Sequence, residues 1–425
     1  MADADVIVVG AGISGLSLAW KAAAAGRKVL VLERQDRVGG CFESRRAAGD
    51  FWFELGAHTT YNSYGAFLDV VVGTGLAGEI VERGPARSRF GLLEGDHIEL
   101  LTPPKVLLRM SWLEAAVHAP FGLFKPKSGH TMYSWYAGVV GRRNYDRMFS
   151  AFFAAVPSQK ADGFPAEGPG SLFKKRPRRK EFPRSYGLRR GLQSVCDAVA
   201  ATPGITVLRA APVQRVARKG AGFVVHAADG RTFEAERCAV AAPPDQAAPM
   251  LLDDFHELAV AISRVKTVTV ETAGVVLPRG RTPIPECAFV VPVDDLFYSV
   301  VTRDPFPDPE RRGFAFHFRP DVPRAEKLAR MAAVLQVPVA ELGEIAESRR
   351  TLPAPALGHA EIVDEIDRLL AGSRLAVAGN FFAGLAIEDC VLRSNAEWAR
   401  ISGVRGRGAR VCAERNSGVP ALRRR

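Results

Sequence analysis

The stretch that decides the fold is VIVVGAGISG, residues 6–15. It opens with a run of β-branched residues, which is typical of a strand buried on both faces of a parallel sheet. A Gly-x-Gly-x-x-Gly motif follows at Gly10, Gly12 and Gly15, and an alanine-rich helical stretch runs on from Leu16 to Ala25. Strand, glycine turn and helix in this order predict a Rossmann-type unit, and therefore an α/β fold.

Each glycine of the motif has a physical role in such a unit. Gly10 permits the tight turn, Gly12 lets the backbone approach a pyrophosphate, and Gly15 lets helix and strand pack closely. Ile13 and Ser14 open the helix, whose free amide groups face the phosphates. The motif therefore predicts a site for an ADP moiety.

A second apolar run, residues 28–32, ends on Glu33, which follows Gly15 by 18 residues. A carboxylate at this point can accept hydrogen bonds from the ribose hydroxyls of the ADP moiety. Its charge also disfavours the 2′-phosphate of NADP. These residues alone leave both NAD and FAD open.

Composition and length are those of a folded protein with more than one domain. The chain has 425 residues, of which 47% are hydrophobic and 24% are charged. One hydrophobic core rarely supports that length, so we expect two domains. The six cysteines show no C-x-x-C spacing, so we expect neither a metal site nor a disulfide framework. Residues 1–5 carry no cationic region, so we expect no secretory signal peptide and a cytoplasmic protein.

Positive charge is concentrated in two segments of a chain whose net charge is +11. Residues 174–190 hold nine cations and one acid, and residues 405–425 hold seven cations and one acid. Such segments can be solvated or can attract anionic lipid, and both interpretations stay open. No nucleic-acid motif accompanies the charge, so we expect no nucleic-acid partner. We expect a flexible basic tail at 405–425, and peripheral attachment to the inner face of a membrane is the hypothesis for 174–190.

The residues after the second strand indicate which dinucleotide binds. The stretch ERQDRVGG, residues 33–40, resembles the E-x-x-x-R-x-G-G extension of the FAD-binding amine oxidase superfamily. The resemblance implies FAD as the cofactor, with Arg34 and Arg37 at the site. Arg37 can neutralise the pyrophosphate, and the backbone of Gly39 and Gly40 can pass close beneath it. Cys41 departs from the pattern, because many members have arginine there.

Two further stretches extend the resemblance to the flavin ring. The stretch FELGAHTT, residues 53–60, is similar to the segment whose backbone follows the isoalloxazine in this superfamily. The stretch LAVAGNFFAGLAIEDC, residues 375–390, resembles the last FAD-binding motif of protoporphyrinogen oxidases. There a helix N-terminus would favour the anion formed when the flavin is reduced. The resemblance implies cofactor contacts at Gly56, Ala57, His58, Thr59, Gly379, Asn380, Gly384, Ala386 and Ile387.

Looser matches lie in the middle of the chain. Pro212–Val216 is similar to a family segment in which a valine meets adenine, which implies a contact at Val213. Residues 239–244 resemble the strand that returns to the cofactor, which implies a contact at Ala242. The chain thus resembles the protoporphyrinogen oxidase-like branch of the flavin-containing amine oxidase and phytoene desaturase superfamily.

The resemblance implies dehydrogenation of a largely apolar or porphyrinogen-like substrate by hydride transfer to N5 of FAD. Leu385 stands where amine oxidases usually place an aromatic residue. Arg89 resembles an arginine that meets a substrate carboxylate, and Lys266 could bridge to flavin N5 through water. A surface arginine and a solvated lysine are the alternatives for those two residues, and no side chain is identified as catalytic.

Other functions remain open on the same scaffold. An amine oxidase would need a paired aromatic cage, and a carotenoid or squalene-type desaturase would need a long apolar tunnel. A non-catalytic flavin-binding interaction protein is the alternative outside the enzymes. Either dioxygen or a quinone could accept the electrons.

We expect a discontinuous Rossmann-type FAD-binding domain and a mixed α+β substrate domain. The predicted FAD-binding domain comprises residues 1–85, 192–250 and 360–404. The predicted substrate domain comprises residues 86–191 and 251–359.

Overall fold

The computed structural model describes residues 2–47, 49–122 and 124–403. The basic segment 405–425, expected to be a flexible tail, lies outside the described residues. The strands are β1 Ala4–Val9, β2 Val29–Leu32, β3 Ser44–Arg46, β4 Trp52–Glu54, β5 Thr60–Tyr61, β6 Ile80–Glu82, β7 Phe90–Glu94, β8 His97–Leu101, β9 Ser185–Leu188, β10 Ile205–Leu208, β11 Val213–Lys219, β12 Gly222–Ala227, β13 Thr232–Val240, β14 Thr267–Pro278, β15 Phe289–Pro292, β16 Phe297–Thr302, β17 Arg311–Phe318, β18 Ala346–Pro353 and β19 Leu375–Val377.

Helices lie between and around these strands. The α-helices are α1 Ile13–Ala24, α2 Gly65–Gly73, α3 Pro103–Arg109, α4 Trp112–Gly122, α5 Met132–Val140, α6 Arg142–Asn144, α7 Ser150–Ala155, α8 Gln193–Ala200, α9 Pro244–Leu251, α10 His256–Ser263, α11 Arg324–Leu335, α12 His359–Leu370 and α13 Ile387–Ser402. A π-helical turn covers Tyr145–Phe149, and 3-10 turns cover Ala77–Glu79, Pro85–Ser88 and Val339–Glu341.

The first large sheet has the order β10-β2-β1-β13-β12-β11, and β19 also pairs with β13. The strands from β10 to β13 and β19 are parallel, whereas β11 and β12 form an antiparallel extension. β1 is apolar on both faces because both faces are covered. Val6 and Val8 pack with α1, α2, α8 and α13, while Ile7 and Val9 pack with α9, α10 and α12.

The second large sheet has the order β18-β14-β17-β16-β15-β7-β8. Its pairings are antiparallel except for the parallel pair of β7 and β15. One face packs against α11 through Met331 and Leu335, and the opposite face packs against Phe51 and Phe53 around β4.

A small three-stranded sheet has the order β5-β9-β6. Leu188 of β9 and Ile80 of β6 pack into the core of the first sheet. On the other face of β9, the ring of Phe306 fills the space that a side chain at position 187 would occupy, so only a glycine fits there. The small sheet therefore joins the two layers of the molecule.

The predicted fold class is confirmed: a Rossmann-type α/β sheet is combined with a mixed α+β region. The domain boundaries stay a prediction. In the described ranges, no helix has both the length and the apolar character needed to cross a membrane.

Candidate functional site

The glycine turn between β1 and α1 is tight where the sequence predicts it. Gly10 has a φ of +100°, and a Cβ atom there would lie 2.6 Å from the carbonyl oxygen of Ala241. A Cβ atom on Gly15 would lie 2.0 Å from the carbonyl oxygen of Gly10. These two glycines therefore allow the first helix to begin directly beneath the sheet.

Gly12 differs from Gly10 and Gly15 because the space beside its Cα atom is free. A Cβ atom there would meet only the Cα of Gly40, at 3.9 Å. Gly12 and Gly40 line a cleft of about 390 Å³ that also exposes Ile13, Ser14 and other predicted cofactor residues. The glycines thus leave a backbone-lined passage at the N-terminus of α1, which is where a pyrophosphate is stabilised.

Glu33 is positioned at the end of β2 and its side chain points back at the glycine turn. It is 7% exposed, its Oε2 accepts a hydrogen bond of 2.7 Å from the amide of Ala11, and its Oε1 accepts one of 2.9 Å from the amide of Gln35. Both amides lie at the cleft end of the sheet, so the carboxylate is held rigidly. It can accept further hydrogen bonds from ribose hydroxyls through its remaining lone pairs.

Arg37 holds the paired-glycine loop in place. Its Nη1 donates to the carbonyl oxygen of Phe42 at 3.1 Å, and its Nη2 donates to that of Gly40 at 3.0 Å and to Glu43 Oε2 at 3.1 Å. Arg37 and the exposed Arg34 both line the cleft. The guanidinium of Arg37 therefore adds positive charge to the cleft and also shapes the loop around Gly39 and Gly40.

Residues of the last motif, 375–390, form the far end of the cleft. Gly379, Asn380, Leu385 and Ile387 line it, with Ile387 in the first turn of α13. Ala386 is the N-cap residue of that helix. Gly384 lies beside the cleft, and a Cβ atom there would be 2.8 Å from Asp389 Oδ2 and 3.3 Å from Lys174 Nζ.

The two acids in the first turn of α13 are already engaged by other parts of the chain. Glu388 accepts hydrogen bonds from the amides of Ala66 and Phe67, at 2.9 and 3.0 Å, and so caps α2. Asp389 accepts from Lys174 at 3.1 Å and from Arg176 at 2.8 Å. The negative charge of Asp389 is therefore balanced, which preserves the positive end of the helix dipole facing the cleft.

The segment expected along the flavin ring is tightly fixed. The amide of Ala57 donates to the carbonyl oxygen of Cys41 at 2.9 Å, and a Cβ atom on Gly56 would lie 2.1 Å from that oxygen. Ala57 lines the cleft, whereas Gly56, His58 and Thr59 lie behind it. Val213 and Ala242, which are predicted to contact the cofactor, also line the cleft.

Two neutral histidines stack behind this segment. His58 and His317 have ring centroids 6.2 Å apart and planes inclined by 25°. Burial lowers the pKa of His58 to about 4, and burial followed by the neighbouring His58 lowers that of His317 to about 3. His58 donates from Nδ1 to the carbonyl oxygen of Gly56 at 3.0 Å, so its Nε2 carries the lone pair.

One part of the cleft wall was missed by the sequence analysis. β18 contributes residues 347–351, and Glu43 reaches the same wall from the paired-glycine loop. Arg350 pairs with Glu43, whose Oε2 also accepts a hydrogen bond of 3.2 Å from Ser348. These residues form a polar wall that joins the second sheet to the glycine loop. No glycine or phosphate motif marks β18, so the sequence carried no signal for it.

The three candidates for contact with the substrate are placed very differently. Leu385 lines the cleft and packs against the apolar cluster of α5 and α7. Arg89 and Lys266 are both exposed and are not among the residues that line the cleft. Roles for them in the reaction stay predictions, and their exposure favours the solvated alternative.

Comparison with known proteins identifies the family. Residues 13–304 match the family described as flavin containing amine oxidoreductase. The chain belongs to this family. It is therefore an FAD-dependent oxidoreductase, and the predicted superfamily, enzyme class and cofactor are confirmed.

Curated relatives of this family member match over short segments. The chain is 50% identical to the all-trans-retinol 13,14-reductase of Danio rerio over 56 residues, which are 13% of this chain and 9% of that protein. It is 33% identical to the chloroplastic protoporphyrinogen oxidase of Nicotiana tabacum over 94 residues, which are 22% of this chain and 17% of that protein. The matches thus span less than a fifth of either relative.

Solved structures resemble the chain over nearly its whole length. A provisionally assigned protoporphyrinogen oxidase from Exiguobacterium sp. 255-15 gives a TM-score of 0.76 at 17% identity, covering 94% of this chain and 99% of the other. Cyclohexylamine oxidase from Brevibacterium oxydans IH-35A gives 0.68 at 15% identity, with the same coverage. At such identities the likeness shows the fold alone.

The cleft of this family member fits FAD by its own geometry. The acid at the end of β2 would contact the ribose, the free space at Gly12 and the N-terminus of α1 would take the pyrophosphate, and the N-terminus of α13 would face the flavin. FAD supplies a hydride acceptor when it is bound.

Proposed function

We propose that this flavin amine oxidase family member dehydrogenates a largely apolar substrate, as protoporphyrinogen oxidases do, with the substrate hydride passing to N5 of FAD. The main support for the proposal is the position of Leu385. Leu385 belongs both to the wall of the cleft and to the apolar cluster built by α5, α7 and the turn between them. The end of the cleft is thus continuous with an apolar region.

The residues of that cluster support an apolar ring system over an amine. Buried members are Met132, Ala137, Tyr145, Phe153, Ala161 and Phe164, and Tyr133, Tyr136, Phe149 and Leu385 pack against them. An aliphatic side chain at Leu385 offers no ring face to an amine, whereas aliphatic and aromatic surfaces together suit a large apolar substrate.

The chain's own groups would orient the reaction and exclude water. Glu33 would fix the ribose, the N-termini of α1 and α13 would hold anionic parts of the cofactor, and neutral His58 would add no charge of its own behind the ring. Arg89 and Lys266 are exposed, so they serve as control positions and not as residues on which the proposal depends.

The test is anaerobic reduction of the FAD-loaded protein, which is monitored as the loss of the visible flavin absorption. Protoporphyrinogen, cyclohexylamine and phytoene are mixed separately with the protein. We expect bleaching with protoporphyrinogen and slower bleaching in Leu385→Tyr, because the larger ring would intrude on the apolar wall. Bleaching by the amine or by the polyene alone would replace the proposal with an amine oxidase or a desaturase. FAD that only dithionite reduces would indicate a non-catalytic flavoprotein.

We propose further that dioxygen or a quinone reoxidises the reduced protein. Stopped-flow mixing of the reduced protein with oxygenated buffer or with a soluble quinone distinguishes the two acceptors by the rate at which the flavin absorption returns.

We also propose that the chain attaches peripherally to an anionic lipid surface. α3 and α4 expose apolar side chains, with Leu108 at 84%, Leu113 at 81% and Phe124, just after α4, at 90% exposure. Exposed apolar side chains of this kind would insert into the interfacial region of a bilayer. An apolar substrate that dissolves in the bilayer would then reach the protein from that side.

The cationic segment 174–190 contributes less charge to such a surface than its sequence suggests. Lys174 and Arg176 pair with Asp389, and Arg179 pairs with Asp69 and Glu181. Among the cations of this segment that precede β9, those that are exposed and form no ion pair with any residue described in the structure are Lys175, Arg178, Lys180 and Arg184. These four are the ones that we assign to lipid contact.

A further inference from the structure

One position beside the paired glycines lacks the charge that the family pattern has there. Cys41 follows Gly39 and Gly40 directly and lines the cleft, and many members of the superfamily have arginine at this position. A thiol cannot donate the two parallel hydrogen bonds that a guanidinium donates to a phosphate. The residues after the glycine motif thus offer one phosphate contact fewer than the family pattern does.

A guanidinium from the second large sheet lies at the same place. A Cβ atom on Gly56 would lie 2.1 Å from the carbonyl oxygen of Cys41 and 3.3 Å from Nη1 of Arg350. Cys41 and Arg350 therefore adjoin the same point of the backbone, and both line the cleft. β18 thus brings a cation to the position at which the paired-glycine loop has none.

The alternation of side chains along β18 directs Arg350 toward the paired-glycine loop. Ser348 and Arg350 lie on one face of the strand, and both contact Glu43 of that loop. Arg349 lies on the opposite face, where its side chain is 67% exposed and pairs with Glu271. The side chain of Arg350 is only 13% exposed. Arg350 is therefore held between the second sheet and the loop.

The carboxylate of Glu43 does not neutralise this wall of the cleft. Glu43 is shared between Arg350 and Arg37, whose Nη2 lies 3.1 Å from Glu43 Oε2. Two guanidinium groups and one carboxylate leave an excess of one positive charge. The three side chains are 13–24% exposed, so water and salt screen this charge less than they screen a surface charge. An anion in the cleft would balance it.

Arg350 has hydrogen-bond donors left for such an anion. Its Nη1 donates to the carbonyl oxygen of Leu55 at 3.4 Å, and its Nη2 donates to Glu43. A guanidinium carries five N–H groups, and within the described ranges these two hydrogen bonds use two of them. The two bonds orient the group, and the other N–H groups are available to a ligand.

We propose that Arg350 supplies the phosphate contact that Cys41 cannot, so that the pyrophosphate of FAD is held from both large sheets. The glycine turn and α1 bind it from the first sheet, and the guanidinium of Arg350 donates to it from β18. FAD thereby links the second sheet to the paired-glycine loop. FAD is the cofactor of the family, so this role of Arg350 does not depend on the substrate proposed above.

The test measures how tightly the purified FAD-loaded protein retains its cofactor. The protein is diluted, and the fluorescence of the released FAD gives the dissociation constant. We expect Arg350→Met to weaken FAD binding by about tenfold or more, because a charge-assisted hydrogen bond is lost. Arg45→Met is the control, because Arg45 is exposed, pairs with Glu344 and is not among the residues that line the cleft. This variant should retain FAD as the wild type does.

Two further variants separate phosphate binding from a structural role of Arg350. Cys41→Arg restores the arginine of the family pattern, so Cys41→Arg combined with Arg350→Met should recover most of the lost affinity. Arg350→Lys keeps the charge but not the planar fork, and it should weaken FAD binding several-fold. A lysine can still pair with Glu43, so Arg350→Lys serves as the test if Arg350→Met does not fold.

Competition with ADP and adenosine identifies the part of FAD that Arg350 contacts. ADP carries both phosphates, whereas adenosine carries none. The dissociation constant of ADP, obtained from its displacement of FAD, should rise about tenfold in Arg350→Met. The dissociation constant of adenosine should be the same in the wild type and in the variant.

Three results would overturn the assignment. They are wild-type FAD affinity in Arg350→Met, no recovery of affinity when Cys41→Arg is added, and equal dissociation constants of ADP in the wild type and Arg350→Met. Thermal midpoints are measured on every variant. A lower midpoint in Arg350→Met with unchanged ADP binding would make Arg350 a structural partner of Glu43 only.

Discussion

Arg176 and Asp389 lie 213 positions apart in the sequence, and their side chains form a 2.8 Å ion pair. Asp389 is 6% exposed and lies in the first turn of α13, which is the helix of the last cofactor motif. Lys174 adds a second cation to the same carboxylate. The basic loop therefore holds the start of this helix, whose first residue, Ile387, lines the cleft.

Asp389→Asn should lower the free energy of unfolding by about 3 kcal/mol, because it leaves two partly buried cations with a neutral partner. Chemical denaturation of the FAD-loaded protein measures the change. Asp69→Asn is the matched control, because Asp69 also pairs with an arginine but its side chain is 60% exposed. The control should change stability by less than about 1 kcal/mol. Equal effects of the two changes would show that the pairs at Asp389 are no more important than a surface pair.

Glu33→Ala should weaken FAD binding by roughly 1.5–3 kcal/mol, or about 10- to 150-fold, because charge-assisted hydrogen bonds to the ribose are lost. Reconstitution of the apoprotein with FAD, followed by flavin fluorescence, gives the dissociation constant. Asp36→Ala removes an exposed acid from the same loop and should leave the affinity unchanged. Unchanged affinity in Glu33→Ala would mean that another group meets the ribose.

Acidification should destabilise the fold through the stacked histidines. The pKa of His317 lies near 3 in the folded state and near 6.5 when the chain is unfolded. The unfolded chain therefore takes up a proton as the pH falls below about 6.5, while the folded chain does not until the pH approaches 3. Between pH 7 and about pH 4.5 the wild type should lose roughly 2–3 kcal/mol more than His317→Gln.

The comparison with His317→Gln is needed because the effect of Glu54 on the pH dependence of stability is opposite to that of His317. Burial raises the pKa of Glu54 to about 7, so this group favours the folded state as the pH falls. Urea denaturation of wild type and His317→Gln across this pH range isolates the contribution of His317. Parallel pH profiles would show that His317 is not held neutral.

Lipid attachment should depend both on the exposed cations and on the exposed apolar side chains of the proposed surface. Sedimentation with anionic vesicles at low salt should recover the wild type in the pellet, since each cation near the surface contributes about 1 kcal/mol. Changing Lys175, Arg178, Lys180 and Arg184 to glutamine should reduce recovery, and so should Leu108→Ser combined with Leu113→Ser and Phe124→Ser.

The control changes a cation of the same segment that forms ion pairs within the protein. Arg179→Gln removes a cation that is held by Asp69 and Glu181, so it should not reduce recovery. Recovery of the wild type in the supernatant would leave the exposed cations as a solvated segment. Equal binding to neutral vesicles would show that only the apolar face contributes.

The sequence predicted the parts of the site that depend on local backbone geometry. Gly10, Gly12 and Glu33 lie where the motif indicates, because a tight turn and a strand end are specified by neighbouring residues. The start of β1 differs slightly from the prediction, which placed it at Val6. The strand begins at Ala4, because Ala4 pairs with Ala235 of β13.

Features that depend on distant contacts could not be predicted. Ser348 and Arg350 reach the cleft only because β14 and β17 place β18 there. The charge of Lys174 is balanced by a residue more than 200 positions away.

The cofactor content of purified Gly12→Val tests whether FAD binds in the cleft at Gly12. The valine would fill the free space beside Gly40 that the pyrophosphate needs. Gly78→Val is the control, because Gly78 is exposed and a Cβ atom there would meet no neighbour within 4 Å. Wild type and Gly78→Val should be yellow and release FAD on denaturation, whereas folded Gly12→Val should be colourless. Gly12→Val that retains FAD, or a colourless wild type that binds NAD, would contradict FAD binding in this cleft.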